Sequence, residues 1–519
     1  MKTRRKFLKN SVGLITGIGV FPSLALQGCS PTVEKDKINK LPLRVEEKAQ
    51  YLTFFDPAEG AVPNPGMGIS GYVHSDHMTP YYPGTGMEER KKKGPLTLDR
   101  KTFDRFIELP YLDNIYVRYE WRDIQKEKGK LTIPDGWKWT LESCEKYGKR
   151  WSFRVMNCMK GSVADNGLPE FLQGKLKMIP YWAKDSVAGD KPKFSPEYSK
   201  EYLDYWAELN FMLGAEFDKH PLLEYVDVSG YGFWGEGHHF ASYALGGPNK
   251  NYQPGTPEQV EAINDRLIKD HLSAYPTTPA VLNLHASEYR AGVNAFEQGL
   301  CWPRRDSFHF GFSTTEVTIA QGLKPGSAMV WELLRPGFYC PEDKDFQTSP
   351  LYAVPQRYFD IQAHYVAVGF NPWEAIWAQE NCLLTNQFIE KNIGYRIRPS
   401  IVWHRLLNNK DEIVLGLRND GCSTVPGQLT INALFPDGST ESIVLPAGEP
   451  APGAMKMYPV PLKNKIESYS KDAKVKFSMK IQMRGKSMPV QWAVKNSGKK
   501  DNLVIDVPLS QYKFGEMQG

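Results

Sequence analysis

The chain divides into two stretches with different hydrophobic periodicity. From about residue 60 to 380, short apolar runs of strand length alternate with longer amphipathic stretches of helical spacing. This alternation is typical of parallel strands joined by helices. It predicts eight strands: Gly66–Val73, Ile115–Trp121, Trp151–Asn157, Leu223–Tyr231, Ala280–His285, Ser307–Phe312, Ala328–Leu333 and Tyr365–Glu374.

Amphipathic segments fill the intervals between these strands. The helices expected there are Thr102–Leu109, Trp137–Tyr147, Pro196–Lys219, Thr256–Tyr275 and Pro355–His364. Eight strands with intervening helices over this length predict an α/β fold of the (β/α)8 TIM barrel type. The alternative is an open doubly wound sheet.

The pattern changes near residue 396 to short alternating strands separated by turn signals such as Asn419-Asp420-Gly421 and Pro436-Asp437-Gly438. The expected strands are Ser400–Leu407, Glu412–Asn419, Gln428–Leu434, Ser439–Leu445, Met455–Pro461, Val475–Met483 and Asn502–Val507. Together they predict an antiparallel β-sandwich. The segment from Val414 to Gly421 resembles the Ig-like modules attached to many glycosidases.

The N-terminus has the features of an export signal. Residues 1–9 resemble a twin-arginine motif, an apolar stretch follows, and Leu26-Gln27-Gly28-Cys29 resembles a lipobox. We therefore expect a signal peptide over residues 1–29, a lipid on Cys29, a tether over 30–50, a catalytic barrel over 51–390 and a sandwich over 391–519. The expected location is the cell envelope, lipid-anchored to a membrane; a plain signal peptide or a short transmembrane anchor is the alternative.

Composition narrows the possible functions. With 41% hydrophobic and 24% charged residues, the chain has the composition of a globular protein rather than a disordered one. The net charge of +5 is spread along the chain without a basic stripe, which argues against a nucleic-acid partner. The cysteines after Cys29 include no CxxC pair, so we expect buried thiols and no structural zinc, although a Cys301–Cys340 disulfide is compatible with an envelope compartment.

The most informative segment runs from Tyr225 to His239. It begins as a buried strand and breaks into Gly230-Tyr231-Gly232-Phe233-Trp234-Gly235 around one carboxylate, that of Glu236. A strand that ends this way predicts an acid in an aromatic-walled pocket, where sugar rings stack and where glycosidases place a general acid. The same letters match GxGxxG, but no helix start follows, so dinucleotide binding is disfavoured. No cofactor is expected.

Catalytic groups of a TIM barrel lie at the C-terminal ends of its strands. Glu236 follows the fourth predicted strand, and Glu332, in Met329-Val330-Trp331-Glu332, ends the seventh. This pattern resembles the clan-A glycoside hydrolases, including β-galactosidase-like families. The resemblance implies Glu236 as acid/base, Glu332 as nucleophile and hydrolysis of poly- or oligosaccharides. The Gly-Xaa-Trp-Gly-Glu-Gly strand end also resembles secreted barrel-plus-sandwich proteins of polysaccharide-degrading bacteria.

Further residues at strand ends are candidates for substrate binding. Arg118 and Glu120 share one face of the second strand, where they either serve the site or form a structural ion pair. The other candidates are sugar-stacking aromatics and polar groups, each of which is equally compatible with packing: Asn157, Tyr231, Trp234, His239, His285, Trp331 and Trp373.

Two other functions stay open at this point. Clan-A enzymes carry Asn before the acid/base, and Gly235 stands there instead, which favours a non-catalytic carbohydrate-binding surface lipoprotein on a degenerate barrel. A lyase or metal-dependent enzyme would use His238, His239 and His285, although no HxH or HExxH pattern supports a metal.

Overall fold

The structure is a computed structural model that describes residues 48–75, 97–157, 167–181, 193–237, 255–285, 289–305, 322–332, 362–367, 371–470, 472–495 and 501–509. The expected signal peptide, Cys29 and most of the tether lie outside these residues. Within the described residues, no helix is long and apolar enough to cross a membrane.

Eight parallel strands close into a barrel, which confirms the predicted TIM barrel and excludes the open doubly wound sheet. In chain order the barrel strands are β2 (Gly68–His74), β3 (Asn114–Glu120), β4 (Arg150–Met156), β7 (Leu223–Asp227), β8 (Ala280–Asn283), β9 (Cys301–Arg305), β10 (Val330–Glu332) and β11 (Tyr365–Ala367). Each pairs with the next, and β11 pairs with β2 to close the ring. A small hairpin of β5 (Met178–Tyr181) and β6 (Lys193–Pro196) interrupts the series between β4 and β7.

Two strand predictions were wrong. The sixth strand is Cys301–Arg305 rather than Ser307–Phe312, which lies outside the described residues. Pro303 inside Cys-Trp-Pro-Arg-Arg looks like a strand breaker, because proline donates no backbone hydrogen bond. The eighth strand is only Tyr365–Ala367, and a helix begins at Pro372, where Asn371 caps it by accepting a 2.9 Å hydrogen bond from the backbone of Glu374.

The described helices follow their sequence signals. They are α1 (Arg100–Ile107), α2 (Trp121–Ile124), α3 (Asp135–Tyr147), α4 (Lys200–Phe217), α5 (Pro257–Ala274), α6 (Arg290–Glu297), α7 (Pro372–Asn381) and α8 (Leu383–Asn392). The helix expected over Pro355–His364 falls mostly outside the described residues. The start of α5 illustrates the local cause: Thr256 and Gln259 form a capping box and proline fills the first helical position.

The barrel interior is polar rather than aliphatic. At its N-terminal end, Glu224 accepts hydrogen bonds from the hydroxyl of Tyr365 at 2.7 Å and from Nδ2 of Asn114 at 3.2 Å. It also pairs with Nε of Arg150 at 2.7 Å. Glu224 is therefore both ion-paired and hydrogen-bonded, as burial of a carboxyl group requires. A second charged layer lies above this one, at the C-terminal end.

The C-terminal part is a β-sandwich, as predicted. One sheet has the order β1-β12-β13-β16, and the other has the order β15-β14-β17-β18 with β19 paired to β17. Its strands are β1 (Lys48–Phe54), β12 (Ile397–Leu407), β13 (Lys410–Asn419), β14 (Gln428–Leu434), β15 (Thr440–Val444), β16 (Met455–Pro461), β17 (Lys474–Met483), β18 (Lys486–Val490) and β19 (Val504–Pro508). The sequence did not predict β1 or β18.

Strand β17 shows why this region folds as a sandwich. Its apolar side chains Val475, Phe477 and Met479 are buried, whereas the intervening lysines are exposed. This period-2 pattern gives the strand one buried face and one solvent-exposed face. β1 pairs antiparallel with β12, so the described chain enters the sandwich before it enters the barrel.

The sandwich covers the N-terminal end of the barrel. Lys486 donates to the carbonyls of His220 and Leu223 at 3.0 and 2.8 Å, just before and at the start of β7. The backbone of Gly485 donates to Thr277 ahead of β8 at 3.3 Å. The turn between β17 and β18 therefore closes the barrel end opposite to the candidate site.

The cysteines differ from one expectation. Cys144, Cys301 and Cys422 are free thiols, so the Cys301–Cys340 pairing is wrong. Cys382 is disulfide-bonded. Burial raises the pKa of the Cys144 and Cys301 thiols to about 12, which keeps both protonated and chemically inert at neutral pH.

Candidate active site

Glu236 is placed by a tight turn that follows β7. Helix α4 and the residues just before it hold the turn from outside: the hydroxyl of Tyr202 donates to the carbonyl of Gly230 at 2.7 Å, and the backbone of Gly232 donates to the hydroxyl of Tyr198, which precedes the helix, at 3.0 Å. The turn closes on itself where the backbone of Gly237 donates to the carbonyl of Tyr231 at 3.0 Å. The carboxyl group is thereby fixed at the C-terminal end of the barrel.

Two glycines in this turn have no substitute. Gly230 has φ +109°, and a Cβ there would lie 2.4 Å from Nε1 of Trp206. Gly235 has φ +72°, and its Cβ would lie 2.9 Å from the Cβ of Ser229. Both positions combine a left-handed backbone with a close contact, which only glycine tolerates at low cost. The clan-A asparagine therefore has no room at position 235.

Glu332 ends β10 and projects into the barrel. Tyr72 donates a hydrogen bond to its Oε2 at 3.1 Å, and Nη2 of Arg304 contacts the same oxygen. Arg304 also donates to the hydroxyl of Tyr72 at 2.9 Å. Burial raises the pKa of Tyr72 well above its usual value, so its hydroxyl stays protonated and can donate.

Arg118 connects the two glutamates. Its Nη2 lies 3.5 Å from Oε1 of Glu236, and its Nη1 lies 3.6 Å from Oε2 of Glu332. Because one planar guanidinium reaches both, the two carboxylates are no farther apart than the roughly 9.5 Å upper limit of catalytic pairs in inverting glycosidases. Arg118 is 4% exposed, and its Nε has no hydrogen-bond partner in the described part of the chain.

Asp227 lies below the pair and anchors the other two arginines. Its Oδ2 accepts a hydrogen bond from Nε of Arg154 at 3.1 Å and lies 2.9 Å from Nη2 of Arg154 and 3.4 Å from Nη1 of Arg304. Tyr116 donates to the same oxygen. Arg154 continues upward to Oε1 of Glu236 at 3.1 Å. One buried aspartate thus fixes both guanidiniums that hold the two glutamates.

Charges balance across this cluster as far as the structure describes it. Three arginines (Arg118, Arg154 and Arg304) face three carboxylates (Asp227, Glu236 and Glu332), all nearly inaccessible. Paired and hydrogen-bonded ions are the condition under which buried charges are tolerated. The two guanidiniums beside Glu236 favour its ionised form, whereas the aromatic setting expected from sequence favours the neutral acid.

Glu120 takes a structural partner. Its Oε2 lies 2.5 Å from Nε of Arg122, while Arg118 pairs with the two glutamates, so the expected Arg118–Glu120 alternative is not the observed pairing. The hydroxyl of Ser75 accepts a hydrogen bond from the backbone of Glu120 at 2.8 Å. Glu120 therefore lies at the rim of the barrel, at the end of β3.

The candidate aromatic residues have different environments. Tyr231 is buried against Tyr198, with ring centroids 4.7 Å apart. Trp234 is partly exposed in the turn beside Glu236, with φ 55° and its carbonyl 3.4 Å from Nη1 of Arg154. Trp331 is fully buried, and Trp373 is half-buried in the first turn of α7 rather than at a strand end. Trp234 is the candidate best placed to face a sugar.

The polar candidates also separate. Asn157 is fully buried, and neither atom of its amide has a hydrogen-bond partner among the described residues. Strand alternation turns it away from the face of Arg154 and Met156. His285 is half-buried, and its backbone donates to Oδ1 of Asn283 at 3.1 Å. His238 and His239 lie outside the described residues.

Sequence reasoning missed most of the residues that support the two glutamates. Arg304 belongs to the sixth strand, which the sequence pattern does not predict, and Asp227, Tyr72 and Tyr116 lie in predicted strands whose pattern indicates only burial. For Tyr72 and Tyr116 period-2 alternation carries the missing signal, since both occupy inward positions of correctly predicted strands. Asp227 breaks the alternation, because it lies three residues after Glu224, which also faces the interior, and the register of β4 against β7 shifts there. Across the described ranges, no three His, Cys, Asp or Glu side chains gather in an arrangement able to hold a metal ion.

No protein-family model matches the chain, and no curated protein is similar to it in sequence. Several similar solved structures are glycoside hydrolases at low identity. The catalytic domain of β-amylase from Paenibacillus polymyxa is 9% identical, with 59% of this chain and 92% of that chain covered and a TM-score of 0.37. Endo-glycoceramidase II from Rhodococcus sp. is 10% identical, with 79% and 100% covered and a TM-score of 0.36.

A glycoside hydrolase family 5 enzyme from Prevotella bryantii B14 is also 10% identical, with 65% of this chain and 99% of that chain covered and a TM-score of 0.36. Likenesses this remote carry no argument about activity. The barrel itself rests on the strand order and register of this chain.

Proposed function

We propose that this protein hydrolyses glycosidic bonds in a poly- or oligosaccharide, with Glu236 as acid/base and Glu332 as nucleophile. The observation that supports the proposal is the shared contact of both carboxylates with Arg118 at the C-terminal end of the barrel. Catalytic groups of TIM-barrel enzymes come from this end, and glycosidases need two carboxylates that flank one bond.

The surroundings of each glutamate suit its proposed role to a different degree. Glu332 receives hydrogen bonds from Tyr72 and Arg304, which orient a carboxylate for attack on the anomeric carbon. Glu236 must carry a proton before bond cleavage, and Arg118 and Arg154 oppose that protonation. Substrate that displaces the 3.5 Å contact to Arg118 would ease it. The acid role is therefore the part of the proposal that most needs testing.

The test separates the two roles by leaving group. Wild type, E236Q and E332Q are compared on natural oligosaccharides and on 2,4-dinitrophenyl glycosides, whose leaving group departs without a proton. We expect E332Q to lose turnover on both substrates. E236Q should lose turnover on the oligosaccharide but keep the first, bond-breaking step on the dinitrophenyl glycoside.

E224Q is the matched control. Glu224 is as buried as the two glutamates and pairs with Arg150, but it lies at the opposite end of the barrel. Its variant should lower stability without changing kcat of the folded protein. Equal turnover by wild type, E236Q and E332Q would refute the proposed pair, and tight glycan binding without any product would instead favour a carbohydrate-binding protein.

A further inference from the structure

Asn283, the last residue of β8, uses the oxygen of its side-chain amide in a hydrogen bond, whereas the NH2 group of the amide has no partner among the described residues. Its Oδ1 accepts a 3.1 Å hydrogen bond from the backbone of His285. This bond fixes which atom is which, because only an oxygen can accept there. The Nδ2 group is buried and has no hydrogen-bond partner in the described ranges, although the residue is only 2% exposed.

The strand register directs this free donor into the barrel. Asn283 lies opposite Arg304 on β9, and residues in register on parallel strands share one face. Arg304 points inward, since it contacts Asp227 and Glu332. Asn283 therefore projects into the same interior, at the end of the barrel where the two glutamates converge.

Asn283 and Glu236 both line one crevice between the turn after β7, the end of β8 and helix α5. Its other lining residues include Ser229 and Tyr231 and, from the helix and the outer face of β8, Leu267, Ile268 and Leu282. A buried amide with an unused N–H is unfavourable unless something fills the position. The group that fits is an oxygen acceptor, and in a site that cleaves glycosidic bonds the available acceptor is a sugar hydroxyl.

On the basis of the proposed function, we infer that Asn283 is a substrate-binding residue that donates from Nδ2 to a hydroxyl of the sugar held between Glu236 and Glu332. It would supply from β8 a contact that position 235 cannot make, because the Cβ of any residue at Gly235 would lie 2.9 Å from the Cβ of Ser229. A site built to hydrogen-bond one hydroxyl discriminates strongly against substrates that lack it.

The test uses N283D, which keeps an oxygen for the backbone of His285 but replaces the free donor by a carboxylate oxygen and so also adds a negative charge. Its kcat/KM is measured on the oligosaccharide that wild type cleaves and on the set of analogues that each lack one hydroxyl. N283A is the second variant, and the melting temperature shows that each variant folds. We expect N283D to lose about tenfold or more on the parent substrate.

The decisive result is the comparison of wild type with N283D on one particular analogue. On the analogue that lacks the bound hydroxyl, wild type should fall to the level of N283D, and N283D should show no further loss. A merely structural role would lower kcat/KM by the same factor on every analogue, and that result would overturn the inference. Unchanged kcat/KM of folded N283D and N283A on the parent substrate would overturn it as well.

Failure of the proposed function is visible separately. If E236Q and E332Q retain turnover, the glutamate pair is wrong, and Asn283 is still judged by its own analogue series. If wild type binds glycans without cleaving them, calorimetric affinities replace kcat/KM in the same comparison. If wild type binds no glycan at all, both the proposed function and the role of Asn283 are refuted.

Discussion

Replacement of Asp227 by asparagine tests how the site is held together. Asp227 is 1% exposed, and its Oδ2 takes the contacts of Arg154, Arg304 and Tyr116, whereas Oδ1 has no partner among the described residues. Asparagine has almost the same shape, and its oxygen can face these donors while its NH2 group takes the position of Oδ1. D227N therefore removes a charge while leaving an acceptor in place.

The expected loss follows from the two guanidiniums left behind. Removal of one partner from a buried ion pair costs about 3–5 kcal/mol, because the remaining charge stays buried without compensation. D227N keeps the hydrogen bonds, so we expect a value near 3 kcal/mol, equivalent to a fall in melting temperature of roughly 4 °C for a barrel of about 340 residues. Because Arg154 and Arg304 hold Glu236 and Glu332, turnover of the folded variant should fall too.

Differential scanning calorimetry at pH 7 measures the effect, with D218N as the matched control. Asp218 is a buried aspartate of the same barrel, but its hydrogen-bond donors are the neutral backbone and hydroxyl groups of Thr277 and Thr278. Both oxygens of Asp218 accept hydrogen bonds, so the NH2 group of asparagine must face a donor there, and the replacement should cost about 1–3 kcal/mol without leaving an arginine uncompensated. If D227N melts at the same temperature as wild type, Asp227 does not compensate the arginines and the proposed anchoring is wrong.

Three further predictions concern other parts of the molecule. R118K cannot contact both glutamates with a single ammonium group, so kcat should fall at least about 100-fold with little change in melting temperature; near wild-type kcat would contradict the bridging role. G235A forces a Cβ to 2.9 Å from that of Ser229 at φ +72°, and should lower the melting temperature and kcat together; calorimetry and kinetics unchanged from wild type would contradict the strain. Burial lowers the pKa of Lys486 to about 8, so the folded protein binds fewer protons than the unfolded chain between pH 8 and about 10.5. The melting temperature of wild type should therefore rise relative to that of K486M as the pH increases across that window. A difference in melting temperature that does not depend on pH would contradict this account.

The hydrophobic pattern predicted the architecture well where a strand or helix has one buried face and one solvent-exposed face. The strands of the sandwich and most barrel strands follow alternation that can be read locally, as in Val475, Phe477 and Met479 of β17. The exceptions have physical causes. β9 contains Pro303, and its Arg304 faces the barrel interior, so the strand lacks the apolar alternation that marks a strand with one buried face. β1 stands alone ahead of the barrel, and its partner β12 follows the whole barrel in sequence, so no neighbouring strand marks it as part of the sandwich.

The site was predictable only in part. Glu236 and Glu332 stand out because each follows a recognisable strand, and the contact of both with Arg118 agrees with their convergence on one end of the barrel. The arrangement around them depends on long side chains that reach across the interior. Nothing local in the sequence pairs Arg304 with Glu332 or Arg154 with Asp227, because these contacts depend on the register of closed strands.

The pairing of β1 with β12 has a consequence for the order in which the protein is made. β1 leaves the ribosome ahead of every barrel strand, but its partner follows all of them. The first sheet of the sandwich therefore stays incomplete until the whole barrel has been synthesised. Through most of translation, β1 has no β12 with which to pair. Pairing of β1 with β12, which joins the two ends of the described chain, must therefore follow synthesis of the whole barrel.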